Sequence, residues 1–219
     1  MATAKAFVPI AGQTLLWHAI RGVLAAGCVD KVVVAVPAAD VDRARGVVAP
    51  FGADVVVVAG GASRVESVRL AMERAALAPG VDVVLVHDAA RAFTPPAVFA
   101  AVVSAVRSGH GAVVPVLPLV DTVKRIDSGG RIMSTVDRST LRSVQTPQGF
   151  APDVLRRAHA GGPGAVTDDA GLVEALGEPV HTVPGDPAAF KITTPFDLAL
   201  AEALLVPVSP GSSTDGAVR

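Results

Sequence analysis

Four short runs rich in valine, separated by segments of helical periodicity, constrain the fold of this chain more than any other feature. The runs are Lys31–Val36, Asp54–Ala59, Val81–Val86 and Ala112–Val116. Uninterrupted apolar runs of this length are typical of strands that are covered on both faces, as in parallel sheets. They therefore predict the inner strands of a layered α/β protein.

Helical segments alternate with these runs. They are residues 13–26, 65–77, 95–108 and 195–205. The third is expected to begin with Thr94 as its N-cap and Pro95 at the first helical position. Strands that alternate with helices predict a Rossmann-like three-layer sandwich with a mostly parallel sheet, and we expect one such domain over residues 1–206.

One segment interrupts this rhythm. Residues 121–138 alternate polar and apolar side chains around Ser128-Gly129-Gly130, which predicts a protruding β-hairpin arm with a glycine turn. Because an isolated hairpin is marginally stable in water, we expect the arm to pack against a second subunit in dimerisation. Residues 207–219, rich in serine, glycine and proline, predict a disordered tail.

The composition argues against several classes of protein. Hydrophobic residues make up 51% of the 219 residues, but the longest windows without charge span about 15 residues, short of the roughly 20 that a membrane-spanning helix needs. The net charge of -1 argues against nucleic-acid binding. The single cysteine, Cys28, fits a reducing compartment, so we expect a cytoplasmic protein without membrane or nucleic-acid partners.

The stretch Val84–Arg91 gives the strongest local indication of a functional site. Its apolar strand residues give way to His87 and Asp88, and Arg91 follows three positions later. Ligands of open α/β sheets bind beyond the carboxyl ends of strands, where Asp88 could hold a divalent cation and Arg91 a phosphate. The alternatives stay open that Asp88 caps the next turn, that Arg91 is a solvated surface residue and that His87 belongs to the core.

Three further positions have both a functional and a structural interpretation. The turn Gly60–Arg64 joins a strand to a helix, where backbone N–H groups favour an anion, although many such turns contain glycine. Thr167 opens a helix and could be only its N-cap. Lys191 lies in an expected strand, residues 190–193, where it indicates either an anion site or an ordinary surface lysine.

Eight motifs in order make the sequence similar to the 2-C-methyl-D-erythritol 4-phosphate cytidylyltransferase family of the non-mevalonate isoprenoid pathway. The motifs are Lys5-Ala-Phe-Val-Pro, Gly60-Gly61 with Arg64 and Ser67-Val68, Val86-His-Asp-Ala-Ala-Arg91, Asp121-Thr-Val-Lys124, Val136-Asp-Arg138, Thr146-Pro-Gln148, Thr167-Asp-Asp169 and Phe190-Lys-Ile-Thr193. Several are ordinary alone, but their shared order over nearly the whole chain makes the resemblance specific.

The resemblance implies an enzyme that transfers CMP from CTP to 2-C-methyl-D-erythritol 4-phosphate and releases pyrophosphate. A phosphate oxygen of the acceptor would attack the α-phosphorus of CTP in line, with Mg²⁺ on the triphosphate and Asp88 as a metal ligand. Lys5 would stabilise the triphosphate, while Arg138 and Lys191 would position the acceptor, so these three are the expected catalytic residues. Positioning and charge neutralisation are the main needs of such a reaction.

The resemblance also implies where the substrates bind and how subunits associate. The expected acceptor-binding residues are Asp88, Arg91, Thr122, Thr146 and Thr167, and the expected nucleotide-binding residues are Gly60, Gly61 and Ser67. In the family the hairpin arm crosses to a partner subunit. Thr122 and Arg138 would therefore serve the site of the neighbouring subunit in a homodimer.

One part of the family pattern has no counterpart in this sequence. Family members carry an apolar strand and a loop of the kind Pro-Ala-Ala-Gly-x-Gly-x-Arg before the position of Lys5, where this sequence has only Met1–Ala4. We therefore expect a gap in the centre of the sheet. Three functions stay open: an active cytidylyltransferase, an N-terminally truncated dimeric fragment without catalysis, and a nucleotidyltransferase for another phosphorylated polyol.

Overall fold

The structure, a computed structural model, describes residues 5–75, 80–161 and 167–205. The expected tail, residues 207–219, lies outside the described residues. The helices are α1 (Leu15–Ala25), α2 (Val41–Val48), α3 (Arg64–Ala75), α4 (Pro96–Arg107), α5 (Pro152–Ala160), α6 (Asp169–Ala175) and α7 (Pro195–Leu205). The strands are β1 (Pro9–Ile10), β2 (Gln13–Thr14), β3 (Val32–Val36), β4 (Val55–Ala59), β5 (Val84–Val86), β6 (Ala112–Pro118), β7 (Val123–Ile126), β8 (Ile132–Val136), β9 (Arg142–Val144), β10 (Gln148–Phe150) and β11 (His181–Pro184).

The strands of the central layer form a sheet that is divided into two parts. In the smaller part β3 and β4 pair in parallel, with Val32 opposite Val55. The larger part has the order β11-β6-β10-β5, and β9 is added to β6. Here β6 and β11 run parallel, whereas β10 runs antiparallel to both β5 and β6. The α/β fold is as predicted, but the larger part of the sheet is mixed and not mostly parallel.

Helices cover both faces of the divided sheet. On one face α1 and α2 pack against β3 and β4 around a core that includes Leu16, Ile20 and Val34, and α4 packs against β6, β10 and β11. On the other face α3, α5 and α6 enclose a second core, in which Phe150 and Leu155 are completely buried. The result is a three-layer arrangement that brings the carboxyl ends of β4 and β5 to the same edge.

Two helix starts show how the local sequence sets the ends of elements. α1 begins after Thr14, whose hydroxyl accepts a hydrogen bond from the backbone N–H of Trp17. α4 begins one residue later than expected, because Pro95 is extended and Pro96 takes the first helical position. The prediction of Thr94 as the N-cap is wrong, since its hydroxyl donates to a carbonyl of the preceding turn.

A cavity of about 680 Å³ separates β3 from β5. The two strands line opposite sides of it, and among the described residues neither has a strand neighbour on that side. Side chains of α1, α3 and α4, including Ile20, Met72 and Phe99, cover the cavity on its two faces. The gap that the resemblance predicted in the sheet is therefore present.

The predicted two-stranded arm is also present. β7 and β8 pair antiparallel, with Val123 opposite Val136, and the carboxylate of Asp127 accepts hydrogen bonds from backbone N–H groups of the turn. Several large apolar side chains on or beside the arm are exposed, among them Val120, Ile126, Ile132 and Met133. The role of the arm between two subunits stays a prediction.

Within the described ranges, the helices are too short or too polar to cross a lipid bilayer. The expected cytoplasmic location is a separate matter and stays a prediction.

Candidate active site

A polar pocket lies where β5 ends and the chain turns through His87 and Asp88. Its volume is about 230 Å³. The lining residues are Arg64, Asp88, Arg91, Val144, Gln145, Thr146, Gln148, Thr167, Asp168 and Lys191. The pocket therefore lies at the carboxyl end of a sheet strand, which is where open α/β sheets bind their ligands.

Asp88 is held between two cations. Its Oδ2 lies 2.8 Å from Nζ of Lys191, and its Oδ1 accepts a hydrogen bond from Nε of Arg64 at 3.3 Å. Burial alone would raise the pKa of the Asp88 carboxyl, but the Lys191 hydrogen bond and the charges of both cations together lower it. Asp88 is therefore an anion at neutral pH, and both of its oxygens are engaged.

Lys191 reaches Asp88 from an irregular segment. The prediction of a strand over residues 190–193 is wrong, because capping of the next helix competes with strand pairing. The carboxylate of Asp197 accepts hydrogen bonds from the backbone N–H groups of Thr193 and Thr194, at 2.8 and 2.7 Å. Ile192 N–H donates to a carbonyl of the loop after β5. These bonds place Lys191 beside the end of β5.

Arg64 joins Asp88 to a buried carboxylate behind the pocket. One of its terminal nitrogens pairs with Oδ2 of Asp169, whose side chain is 0% exposed. The other oxygen of Asp169 lies 2.9 Å from Nε2 of His159. Burial lowers the pKa of Arg64, but the charges of Asp169 and Asp88 outweigh it and raise the pKa above its ordinary value. Arg64 is thus a fixed cation at one wall of the pocket.

Thr146 fixes the backbone at Asp88. Its hydroxyl oxygen accepts a hydrogen bond from the N–H of Asp88 at 3.1 Å and lies 2.9 Å from Nδ1 of His87. Burial lowers the pKa of His87 to about 4, and the charge of Asp88 offsets this only in part. The imidazole is therefore neutral at pH 7, and Thr146 can donate its hydroxyl proton to Nδ1.

The depressed pKa of His87 predicts a loss of stability in acid. The folded protein keeps His87 neutral down to about pH 4, whereas the unfolded chain protonates near pH 6.5, so stability falls as the pH drops between these values. At pH 4.5 the loss relative to pH 7.5 amounts to about 2.5 kcal/mol from this group. Urea unfolding at both pH values checks this, because His87→Gln should lack that part of the pH dependence.

The matched control for this experiment is the exposed histidine His181. His181→Gln makes the same substitution and leaves His87 in place, so the part of the pH dependence that comes from the burial of His87 should remain. Equal pH dependence of the parent and His87→Gln would show that His87 protonates freely in the folded protein.

The guanidinium of Arg91 is held by two backbone carbonyls. Its two terminal nitrogens donate to the carbonyls of Ala189, at 2.7 Å, and of Val144, at 3.3 Å. Burial lowers the pKa of Arg91, with the charge of Asp88 acting against it, but a guanidinium stays protonated in proteins. Arg64, Arg91 and Lys191 thus supply three cations to one small pocket.

Thr167 lies at the rim of the same pocket, but it is not the N-cap of α6. The residue that caps this helix is Asp168, whose Oδ1 accepts a hydrogen bond from the N–H of Gly171. The other oxygen of Asp168 accepts from the amide of Gln148 at 2.6 Å. The exposed Thr167 hydroxyl is therefore free of the capping role that the sequence suggested for it.

Of the expected catalytic and acceptor-binding residues, three lie away from the pocket lining. Lys5 is exposed in a short 3-10 helix, Lys5–Phe7. Thr122 and Arg138 are exposed at the base of the arm. The structure of one chain thus brings together Asp88, Arg91, Thr146, Thr167 and Lys191, and it leaves these three outside the cluster.

The expected nucleotide-binding residues form one turn beside Arg64. The N–H of Gly61 donates to Oγ of Ser67 at 3.1 Å, which closes the turn between β4 and α3. A Cβ at Gly60 would come within 2.7 Å of the same Oγ, so a side chain there would disturb the turn. Gly60, Gly61 and Ser67 are therefore in contact with one another, next to the pocket.

Arg64, Asp169, His159 and Gln148 are site residues to which the sequence alone assigns no role. Arg64 belongs to the glycine turn that is a candidate for anion binding, but nothing local connects it to Asp169, 105 positions away. A cation directly after a glycine-rich strand end is the one signal in the sequence that could have drawn attention to it.

The fit of Mg²⁺ to this pocket depends on Asp88. No cluster of three or more His, Cys, Asp or Glu of metal-binding geometry occurs among the residues that the structure describes. Mg²⁺ is usually held by one or two carboxylates together with substrate phosphates and water. Asp88 fits this pattern if one of its oxygens exchanges Lys191 or Arg64 for the metal, with the other ligands coming from the substrate.

The three-layer α/β fold is that of a nucleotidyltransferase, and the three cations of the pocket at the strand end suit a phosphorylated substrate. The sequence model of the 2-C-methyl-D-erythritol 4-phosphate cytidylyltransferase family matches residues 1–206. The chain belongs to this family.

Individual relatives agree with the family match. A 2-C-methyl-D-erythritol 4-phosphate cytidylyltransferase of Saccharopolyspora erythraea is 57% identical over 202 residues, which cover 92% of this chain and 90% of that protein. That of Nocardia farcinica is 56% identical over 202 residues, covering 92% and 85%. The crystal structure of the enzyme from Thermus thermophilus matches with a TM-score of 0.76 at 40% identity, covering 93% of this chain and 94% of that one.

Proposed function

We propose that this chain transfers CMP from CTP to 2-C-methyl-D-erythritol 4-phosphate and releases pyrophosphate, in isoprenoid biosynthesis. The observation that carries the proposal is the family match over residues 1–206. The pocket supports it, because Arg64, Arg91 and Lys191 surround Asp88 where a phosphorylated acceptor can enter. Phosphate groups are bound by charge-assisted hydrogen bonds of this kind.

The acceptor phosphate binds between Arg91 and Lys191. Arg91 is held by two backbone carbonyls, so its guanidinium is already in place. The side chain of Lys191 is 47% exposed and can turn from Asp88 to the phosphate without leaving the pocket. Thr167 offers its hydroxyl at the rim, while Thr146 acts by holding the backbone of Asp88. The chain thereby positions the acceptor phosphate next to the triphosphate of CTP. It forms no covalent bond with either substrate.

The nucleotide binds on the side of the glycine turn. A Cβ at Gly60 or Gly61 would collide with the side chain of Ser67 or Glu66, so the two glycines let this turn close beside the pocket, where the base is to bind. Lys5 contributes a charge for the triphosphate. Asp88 would hold Mg²⁺ together with the substrate phosphates, and the metal would supply charge neutralisation on the triphosphate.

A second copy of the chain completes the site through the arm. The exposed apolar residues Val120, Ile126, Ile132 and Met133 give the arm a surface suited to burial against another protein. Thr122 and Arg138, which lie outside the pocket of their own chain, reach the pocket of the neighbouring chain in such a homodimer.

The test of the proposed reaction is the formation of the CDP-linked alcohol, detected by mass spectrometry so that slow turnover is still measured. We expect product only when CTP, 2-C-methyl-D-erythritol 4-phosphate and Mg²⁺ are all present. Erythritol 4-phosphate and ribitol 5-phosphate serve as competing acceptors. Absence of product, or equal turnover with these acceptors, would contradict the proposed function.

A dimeric protein without catalysis is the second candidate, and the cavity between β3 and β5 is the observation that favours it. A site beside a divided sheet would bind the nucleotide weakly, because its walls are not held in position. Calorimetric titration with CTP separates the two candidates. Micromolar affinity for CTP would rule out the protein without catalysis.

A further inference from the structure

Three backbone N–H groups of the glycine turn between β4 and α3 already have acceptors within the chain. The N–H of Gly60 donates to the last carbonyl of β3 at 2.7 Å, and the N–H of Gly61 donates to Oγ of Ser67 at 3.1 Å. The N–H of Ala62 donates to Oε2 of Glu66 at 2.8 Å. The sequence left open that N–H groups of this turn bind an anion, but these three are not available to one.

The carboxylate of Glu66 is held inside the same turn. The N–H of Glu66 donates to Oγ of Ser63 at the start of α3, and the side chain folds back to Ala62. A Cβ at Gly61 would come within 2.5 Å of Cγ, Cδ and Oε2 of Glu66. The glutamate side chain therefore lies directly over the glycine, and a larger residue at that position would displace it.

The charge of Glu66 has no ion-pair partner in the described part of the chain. Of the arginines of α3 nearest to it, Arg64 pairs with two other carboxylates and Arg69 pairs with Glu73. Glu66 is only partly buried, and its Oε1 makes no hydrogen bond with the residues that the structure describes. The turn thus offers a fixed carboxylate oxygen, which accepts hydrogen bonds and repels phosphate.

The bases of CTP and UTP differ in the group that such an acceptor recognises. Cytosine carries an amino group at C4, which is a hydrogen-bond donor, whereas uracil carries a carbonyl oxygen there, which is an acceptor. Glu and Asp are the side chains that accept from the amino group of cytosine. The same carboxylate repels the carbonyl oxygen of uracil, so one residue can both favour CTP and reject UTP.

We propose that Glu66 selects CTP over UTP by accepting a hydrogen bond from the amino group of the cytosine base. The proposal rests on the proposed function, which puts the base beside Gly60 and Gly61. Arg64 begins α3 and lines the polar pocket, and Glu66 follows it in the same helix. The two ends of the nucleotide then meet opposite charges: the pocket supplies cations for the phosphates, and the turn supplies an acceptor for the base.

The capping of α3 does not require the charge of Glu66. A glutamate or a glutamine three residues after the N-cap serves in a capping box, and that is the position of Glu66 after Ser63. A negative charge at the start of a helix adds only a small stabilisation. Glu66→Gln keeps an oxygen for the N–H of Ala62 and should fold like the parent chain.

Calorimetric titration of the parent chain and of Glu66→Gln with CTP and with UTP tests the proposal. The titrations contain Mg²⁺ but no acceptor, so they measure selection of the base without catalysis. We expect the parent to bind CTP about 100-fold more tightly than UTP. The amide of Glu66→Gln can accept from cytosine and donate to uracil, so this variant should bind the two within about threefold of each other.

Glu73→Gln is the matched control, because Glu73 lies on the same helix but is exposed and pairs with Arg69. It should keep the preference of the parent for CTP. The triphosphate of pyrimidin-2-one riboside, which lacks the amino group of cytidine, repeats the test on the unaltered chain. The parent should bind it about tenfold more weakly than CTP.

The binding data and the formation of the CDP-linked alcohol separate the possible failures. Equal binding of CTP and UTP by the parent, no binding of either, or an unchanged preference in Glu66→Gln would each overturn the role of Glu66. Product formed from CTP by a Glu66→Gln variant that still rejects UTP would keep the proposed function and overturn this inference. A preference that depends on Glu66, without formation of product, would keep the inference and contradict the proposed function instead.

Discussion

Replacing Asp169 with alanine is expected to lower the free energy of unfolding by about 3 kcal/mol. Loss of one partner of a buried ion pair costs about 3–5 kcal/mol, because the remaining charge is left without compensation. We expect the lower end of this range of costs, because the Arg64 side chain is 33% exposed and keeps Asp88 as a second partner. His159 also loses the acceptor for its Nε2. Urea unfolding at pH 7 measures the change.

Asp153 provides the matched control for Asp169. It pairs with Arg157 at 2.6 Å, but both side chains are more than half exposed. Exposed pairs of this kind contribute at most about 1 kcal/mol, so Asp153→Ala should unfold almost like the parent chain. An Asp169→Ala variant as stable as Asp153→Ala would show that the buried carboxylate does not hold this wall of the pocket together.

The layered fold could be predicted because its signal is local. Each valine run is apolar throughout, and the structure places β3 within Lys31–Val36 and β4 within Asp54–Ala59. Such a run is stable only between two helical layers. The hairpin was predictable for a similar reason, since its alternation and its glycine turn lie within one segment, and β7 and β8 follow that segment closely.

β10 could not be predicted in this way. It is only three residues long, Gln148–Phe150, and it contains a buried glutamine and a glycine in place of an apolar run. Gln148 is held by partners from another part of the chain, Asp168 and the N–H of Ala170. Its antiparallel place between β5 and β6 is decided by tertiary packing, which is why the mixed character of this part of the sheet could not be predicted.

In the site, too, some residues could be predicted from the local sequence, whereas others are placed by contacts with distant segments. Asp88 could be singled out because a carboxylate directly after a buried strand is costly unless it meets a ligand or a cation. Its two cations could not be derived from that pattern. Lys191 is held in place by the hydrogen bonds that cap α7, and Arg64 is oriented by Asp169 on α6. The family resemblance gave Lys191 a role, whereas Arg64, although it belongs to one of the motifs, gained a role only from its contacts.

The largest effect on catalysis is expected from Lys191→Ala. The variant removes the cation at 2.8 Å from Asp88 and, under the proposed function, the group that turns to the acceptor phosphate. Removing one such group from a site of charge development typically costs about 10²–10³-fold in rate. We expect kcat/KM for 2-C-methyl-D-erythritol 4-phosphate, measured at saturating CTP, to fall by about that factor.

Two further variants test whether the loss of rate depends on the shape of the cation and on its position. Lys191→Arg restores a cation but not the compact ammonium, so it should recover only part of the lost rate. Arg45→Ala removes an exposed cation of α2 that pairs only with Asp42 in the described part of the chain, and it should react like the parent. If Lys191→Ala lost no more than about tenfold in kcat/KM, the charge of Lys191 would not stabilise the transition state. The side chain of Asp88 would then be held by Arg64, and its backbone by Thr146 and the N–H of Arg91.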